Sequence, residues 1–204
     1  MKKQQDKKDS LIKMTLALTL ITVVSALILG YTYEITKKPI AEAENRAELA
    51  AIEAVIGTDY DNNPYQDKML IPTKHGKEKL ELYPARKNGK ITSFAMKTFS
   101  NQGFGGKIEL IVGFNIDGRI LNYQILSSKE TPGLGSKISE NKFKSQFKGL
   151  IARTSSFKVT KDGGDIDGVT AATISSRAVI DAINRAYGAY KKLNRGENKN
   201  EQKH

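Results

Sequence analysis

Polarity divides the chain into unlike stretches. A charged head ends at Lys13, and Met14 to Tyr33 is a run of 20 residues without a charge. As a helix rising about 1.5 Å per residue, this run reaches about 30 Å, the thickness of a bilayer's hydrocarbon core. Its Thr and Ser hydroxyls are tolerable there because they bond back to helix carbonyls. Tyr31 and Tyr33 stand at the far end, where an interfacial aromatic belt belongs. The run is longer than the core of a signal peptide, about 7–15 residues, and no small-x-small cleavage pattern follows it, so an uncleaved anchor is expected. Residues 34–56 read as a stalk helix, because Leu49, Ile52, Val55 and Ile56 recur at helical spacing. Pro39 either starts a new helix or kinks the continuation of the anchor.

Gly57 to Pro72 is turn-rich, and beyond it the period changes to two. Leu80–Tyr83 and Ile91–Met96 flank Asn88-Gly89, a strong hairpin signal. Ile108–Phe114 and Ile120–Leu126 flank Asp117-Gly118, a second one. Gly103-Phe104-Gly105-Gly106 lies between the two hairpins. A short helix is expected over Asn141–Leu150, with Phe143 and Phe147 on one face, and a strand at Phe157–Val159. A last helix is expected over Ile174–Leu193, with Ile174, Ala178, Ile180, Ile183, Tyr187 and Tyr190 on its apolar face. The sum is an α+β protein: one N-terminal transmembrane helix, then an antiparallel sheet with packed helices. The expected organisation is a basic tail (1–13), the transmembrane helix (14–33), the stalk (34–56), one domain (57–194) and a disordered polar tail (195–204).

Composition narrows the chemistry. The chain has no Cys, so disulfides, thiolate metal sites and iron–sulfur ligation are excluded. Its two His, His75 and His204, are too far apart in sequence to suggest a zinc site. Redox chemistry would therefore need an organic cofactor. The net charge of +11 is shared between both ends and a mildly basic body, without the concentrated basic face of a nucleic-acid binder. Five Lys precede the anchor and three basic residues follow within a similar distance, which puts the N-terminus inside and the soluble domain on the outer face of a bacterial inner membrane.

Two segments carry candidate chemistry. Asp167-Gly168-Val169-Thr170-Ala171-Ala172-Thr173 presents two hydroxyls just ahead of the last helix. Free N–H groups and the positive end of the helix dipole make such a start suited to phosphate, although either Thr can equally be a plain helix cap. Glu130-Thr131-Pro132-Gly133-Leu134-Gly135 is a Pro-Gly loop that would let backbone approach a flat ligand, or be only a tight turn. Asp162-Gly163-Gly164-Asp165 lacks the alternating ligands of a calcium loop and reads as a turn.

Asp167-x-x-Thr170-Ala171-Ala172-Thr173 resembles the flavinylation signature of the FMN-binding domain family, Asp-x-x-Ser/Thr-Gly-Ala-Thr. Glu130–Gly135 matches that family's second signature, and Gly103–Gly106 looks like its glycine-rich segment. Anchor, length and segment order are similar to the family of G subunits of Rnf electron-transport complexes. The related C subunit of the sodium-translocating NADH:quinone reductase is similar but usually longer. The resemblance implies covalent FMN, its phosphate esterified to Thr173 by a flavin transferase that uses FAD and Mg²⁺ and releases AMP. It implies that Asp167 and Thr170 are read by that transferase, and that Thr131, Gly133, Leu134 and Gly135 lie against the isoalloxazine ring. Ala171 departs from the family's usual Gly; if that position needs a positive backbone torsion, Ala costs something. The implied partners are the other membrane subunits of an ion-translocating complex relaying electrons between ferredoxin and NAD. The chain shows no nucleophile or base for turnover of its own, so a carrier is expected rather than an independent catalyst. The alternatives are a noncatalytic FMN-binding sensor or assembly module, or a component of the quinone-reductase type.

Overall fold

The computed structural model of the 204-residue chain describes residues 2–73, 78–151 and 157–201; His75 and His204 fall outside them. The chain divides into two compact units, Met1–Arg46 and Ala47–His204.

The first unit consists of helix α1 (Lys2–Ile56) up to Arg46. The helix continues through Pro39. From Leu11 on it contains an 18-residue window of mean hydropathy 2.2. The large apolar side chains are bare: Leu16, Leu20 and Leu27 are 65%, 66% and 68% exposed, which in water would be untenable over such a length. The threonines along the helix are satisfied internally. The Thr15, Thr19, Thr32 and Thr36 hydroxyls each donate to the carbonyl four residues back at 2.8–2.9 Å, and Thr22 donates to Thr19 O at 2.9 Å. Such a helix is consistent with anchoring in a membrane.

The second unit is built on an antiparallel meander. Its strands are β1 (Met69–Pro72), β2 (Lys79–Lys87), β3 (Lys90–Gly103), β4 (Gly106–Asn115) and β5 (Ile120–Ser127), in that spatial order. The β2–β3 turn has Asn88 and Gly89 at φ 52° and 76°, the left-handed pair that matches strand twist. Gly103–Gly106 is itself a turn, closing β3 on β4. The two expected hairpins are thus joined into one sheet by the glycine segment between them.

Alternation sorts the side chains to two faces. One face carries Leu82, Phe94, Met96, Leu110, Val112 and Phe114, packed under helix α3 (Thr173–Glu201) through Val179, Ile183, Ala186 and Tyr190. Rings of Phe94 and Tyr190 stack at 5.3 Å. The other face carries Tyr83, Ala95 and Ile111, covered by Ala51, Ile52 and Val55 from the last turns of α1. Short helix α2 (Asn141–Lys144) and the 3₁₀ turn Ser145–Phe147 replace the single helix expected there, with Phe143 and Phe147 buried as foreseen.

Five expectations need correction. Strand β1 lies in the stretch read as turn-rich: it is an edge strand with only Ile71 facing inward and Pro72 at its end, so no alternation announces it. Phe157–Val159 is not a strand: Val159 makes a single bridge to Ile166, while the side-chain amide of Asn184 takes both backbone groups of Phe157, at 2.8 and 2.9 Å. Ile174 is 48% exposed rather than on the apolar face of α3, and Leu49 is 38% exposed while Ala51 is buried. Helix α3 is also longer than the pattern ending at Leu193.

Candidate functional site

Glu130 follows β5 and is 8% exposed. One carboxylate oxygen, Oε1, accepts the N–H of Gly105 at 3.1 Å; the other, Oε2, accepts the hydroxyl of Ser175 at 2.6 Å. A single buried carboxylate therefore joins the β3–β4 turn, the loop after β5 and the first turn of α3. The glycines around it leave no room for side chains. A Cβ on Gly105 would stand 2.0 Å from Lys129 O, and one on Gly135 would stand 2.5 Å from Glu130 Oε2 and 2.8 Å from Ser175 Oγ. The position of the carboxylate at a helix start is also favourable, because the dipole stabilises negative charge there.

Thr131-Pro132-Gly133-Leu134 is a type II turn. Leu134 N–H donates to Thr131 O at 3.2 Å, Pro132 takes the position suited to its fixed φ, and Gly133 has φ 74°. The turn is exposed, and Leu134 is presented at its end, 44% exposed. Ile174 at 48% and Phe104 at 71% are exposed one residue from Ser175 and Gly105 respectively, the two groups that hold Glu130. Three large apolar side chains thus stand beside the carboxylate clamp without cover.

The Asp167–Thr173 segment is held at several points. Ile166 before it is buried and bridged to Val159. The amide of Gln146 accepts Asp167 N–H at 2.7 Å and donates to Asp167 O at 3.1 Å. Buried Ser176 accepts Val169 N–H at 2.9 Å and donates to Ala172 O at 3.0 Å. Ala171 has φ 61°, one of two non-glycine residues with positive φ among those described. The departure from the usual Gly therefore falls on a left-handed position. Ala172 is buried and closes the turn to Val169 O at 3.0 Å. Thr173 opens α3 and is half-buried; Thr170 and Asp167 are exposed. Among the described residues the hydroxyls of Thr170 and Thr173 find no hydrogen-bond partner, so neither acts as a side-chain cap. A groove of about 410 Å³ runs between Asp167–Thr170 and a wall containing Lys137, Lys142, Phe143 and Gln146.

Asp162, at the start of the Gly-Gly turn, is held by Arg177 through two bonds of 2.7 and 2.8 Å, which keep its carboxyl below the usual range. The turn reading of that segment stands. Sequence reasoning named Glu130 only as part of a signature and passed over Gln146. Ser175 and Ser176 stand in the first turn of the amphipathic helix without capping it: Ser175 donates to Glu130 and Ser176 to Ala172 O.

Residues 103–188 match the FMN-binding domain, and residues 1–55 match the RnfG N-terminal region. The chain is 32% identical over 189 residues to the G subunit of the ion-translocating oxidoreductase complex of Aliivibrio fischeri, an alignment covering 88% of this chain and 90% of the relative. It belongs to the RnfG family. Another member, the G subunit of the Na(+)-translocating ferredoxin:NAD(+) oxidoreductase complex of Acetobacterium woodii, is 32% identical over 90% of this chain and 93% of its own. Among solved structures, the C subunit of the Na(+)-translocating NADH-quinone reductase from Parabacteroides distasonis is similar at 23% identity and a TM-score of 0.45, over 55% of this chain and 61% of that one. The match to the FMN-binding domain begins at Gly103, so all three segments gathered at Glu130 lie inside it.

Proposed function

We propose that this chain is the flavin-carrying RnfG component of an ion-translocating ferredoxin:NAD⁺ oxidoreductase complex, with FMN esterified through its phosphate to Thr173. The observation that carries the reading is the state of the Thr173 hydroxyl: it stands at the first residue of α3, without a hydrogen-bond partner among the described residues, beside the Glu130 clamp. A phosphate there meets the free N–H groups of the first helical turn and the positive end of the dipole. Thr131, Gly133 and Leu134 offer an exposed turn with one apolar side chain against which a flat ring can lie, and buried Gly135 supports that turn from behind, against Glu130. Ala171 and Ala172 shape the turn into the helix, and Asp167 and Thr170 are exposed for recognition by the transferase.

When bound, FMN supplies one- and two-electron chemistry that a chain without cysteine needs from an organic group. The residues of the chain bind, orient and tether it; the phosphoester keeps the carrier loaded through every cycle. The anchor holds the domain at the membrane, with the basic head inside and the domain on the outer face.

Intact-mass measurement of the chain made together with a flavin transferase, wild type beside Thr173→Val, tests the attachment. The expected result is an added FMN less water in the wild type only. In the assembled complex, Thr173→Val should stop electron transfer while assembly survives. Retained electron transfer would favour a noncatalytic assembly or sensor role.

A further inference from the structure

Asp167 opens the acceptor segment, and its backbone is held by one side chain. Downstream, Val169 and Ala172 are tied to α3 through Ser176. Upstream, Ile166 is buried and bridged to Val159. Between them both backbone groups of Asp167 are taken by Gln146, at 2.7 Å to the N–H and 3.1 Å to the carbonyl. A side-chain amide accepts and donates through two neighbouring atoms, and so mimics a paired strand. Gln146 is itself rigidly placed. It lies between buried Phe143 and Phe147, whose rings meet edge to face at 5.4 Å, and Phe147 meets Tyr123 at 5.5 Å. The core thus reaches the backbone of Asp167 through one amide.

We propose that Gln146 is the positioning residue for flavin attachment: it holds the Asp167 peptide so that Asp167 and Thr170 are displayed along the open groove and Thr173 is offered in register with them. This rests on the reading of Thr173 as acceptor. In the step concerned, the Thr173 Oγ–phosphorus bond forms and the pyrophosphate P–O bond of FAD breaks. AMP leaves, and the hydroxyl proton passes to a base of the transferase or to water. Gln146 takes no part in that exchange. It raises the fraction of chains whose segment already has the shape the transferase binds, and a lower fraction appears as a raised KM at unchanged kcat.

The test uses the full-length chain in detergent with purified flavin transferase, FAD and Mg²⁺. Transfer is followed by intact mass over a range of carrier concentrations, for wild type, Gln146→Ala and Gln146→Glu. Losing two hydrogen bonds should raise the KM of Gln146→Ala on the order of tenfold. Its kcat and its final extent of modification should stay at the wild-type level. Gln146→Glu keeps the acceptor for Asp167 N–H and loses the donor, and should fall between the two. Hydrogen exchange at the Asp167 amide should quicken in the same order, a change that general loss of stability would not confine to one amide. An unchanged KM in Gln146→Ala overturns the proposal, and so does a reduced modifiable fraction at unchanged KM, the mark of misfolding. If the wild type itself stays unmodified, the Thr173 reading fails and takes this proposal with it. A modified wild type with an indifferent variant overturns this proposal alone.

Discussion

Replacing Ala171 with glycine should make this protein more stable, against the usual direction of such a change. Ala171 has φ 61°, where the Cβ of an L-residue crowds the following carbonyl at a cost of about 1–2 kcal/mol. Glycine removes that crowding but adds freedom to the unfolded chain, which costs about 0.4–1 kcal/mol. The difference leaves a net gain of about 0.5–1 kcal/mol. For a domain of this size each kcal/mol moves the melting temperature by about 2–4 °C, so a rise of about 1–4 °C is expected. Scanning calorimetry of the full chain in detergent reads it, with near-ultraviolet dichroism of the tyrosines as a second probe of the domain. Ala171→Val serves as the opposite perturbation, because a β-branched residue is worse at positive φ and should lower the transition. A melting temperature unchanged or lowered in Ala171→Gly would refute the strain argument. Glycine also restores the family's usual residue, so the initial rate of FMN transfer should not fall.

Glu130→Ala removes the acceptor of the Gly105 N–H and of the Ser175 hydroxyl together; a loss of about 2 kcal/mol or more in urea unfolding is expected, and a change within about 0.5 kcal/mol would refute the clamp. Gly135→Ala forces a Cβ to within 2.5 Å of Glu130 Oε2 and should cost about 1–3 kcal/mol, with flavin content falling alongside. Burial works upward on the Glu81 carboxyl, yet the Tyr83 hydroxyl and the Lys68 and Lys97 ammonium groups outweigh it and hold it below its ordinary value. A depressed carboxyl stabilises the fold above its unfolded pKa and loses that contribution as pH falls through the folded one, so stability should drop below about pH 4.5. Tyr83→Phe removes the donor to Glu48 and Glu81 and should flatten that acid limb; an identical pH profile would count against the coupling.

The elements most visible in the sequence were those whose local chemistry and tertiary role agree. Asn88-Gly89 signalled its hairpin because a left-handed pair is needed there, and Phe143 and Phe147 signalled their face because both are buried. The signature segments were equally visible as strings of residues. Their joining was not, because it depends on a carboxylate bonded to residues 25 and 45 positions away, and no periodicity encodes such a contact. Ile174 shows the reverse case. Its spacing fits the apolar stripe of α3, but in the first turn it is the neighbouring Ser175 and Ser176 that are buried, while Ile174 is left exposed. Gln146 was unreadable for a simpler reason: a polar residue on a short amphipathic helix looks the same whether it meets water or a peptide group.

The Glu130 contacts also bear on when the cofactor arrives. The residues of the acceptor segment are present from the moment of synthesis, yet their arrangement exists only after the sheet has closed its β3–β4 turn and α3 has docked. Loading with flavin would then act as a proofreading step. Chains that have not finished folding would carry the recognition sequence without its shape and would remain colourless, so the yellow fraction of a preparation would count correctly folded molecules.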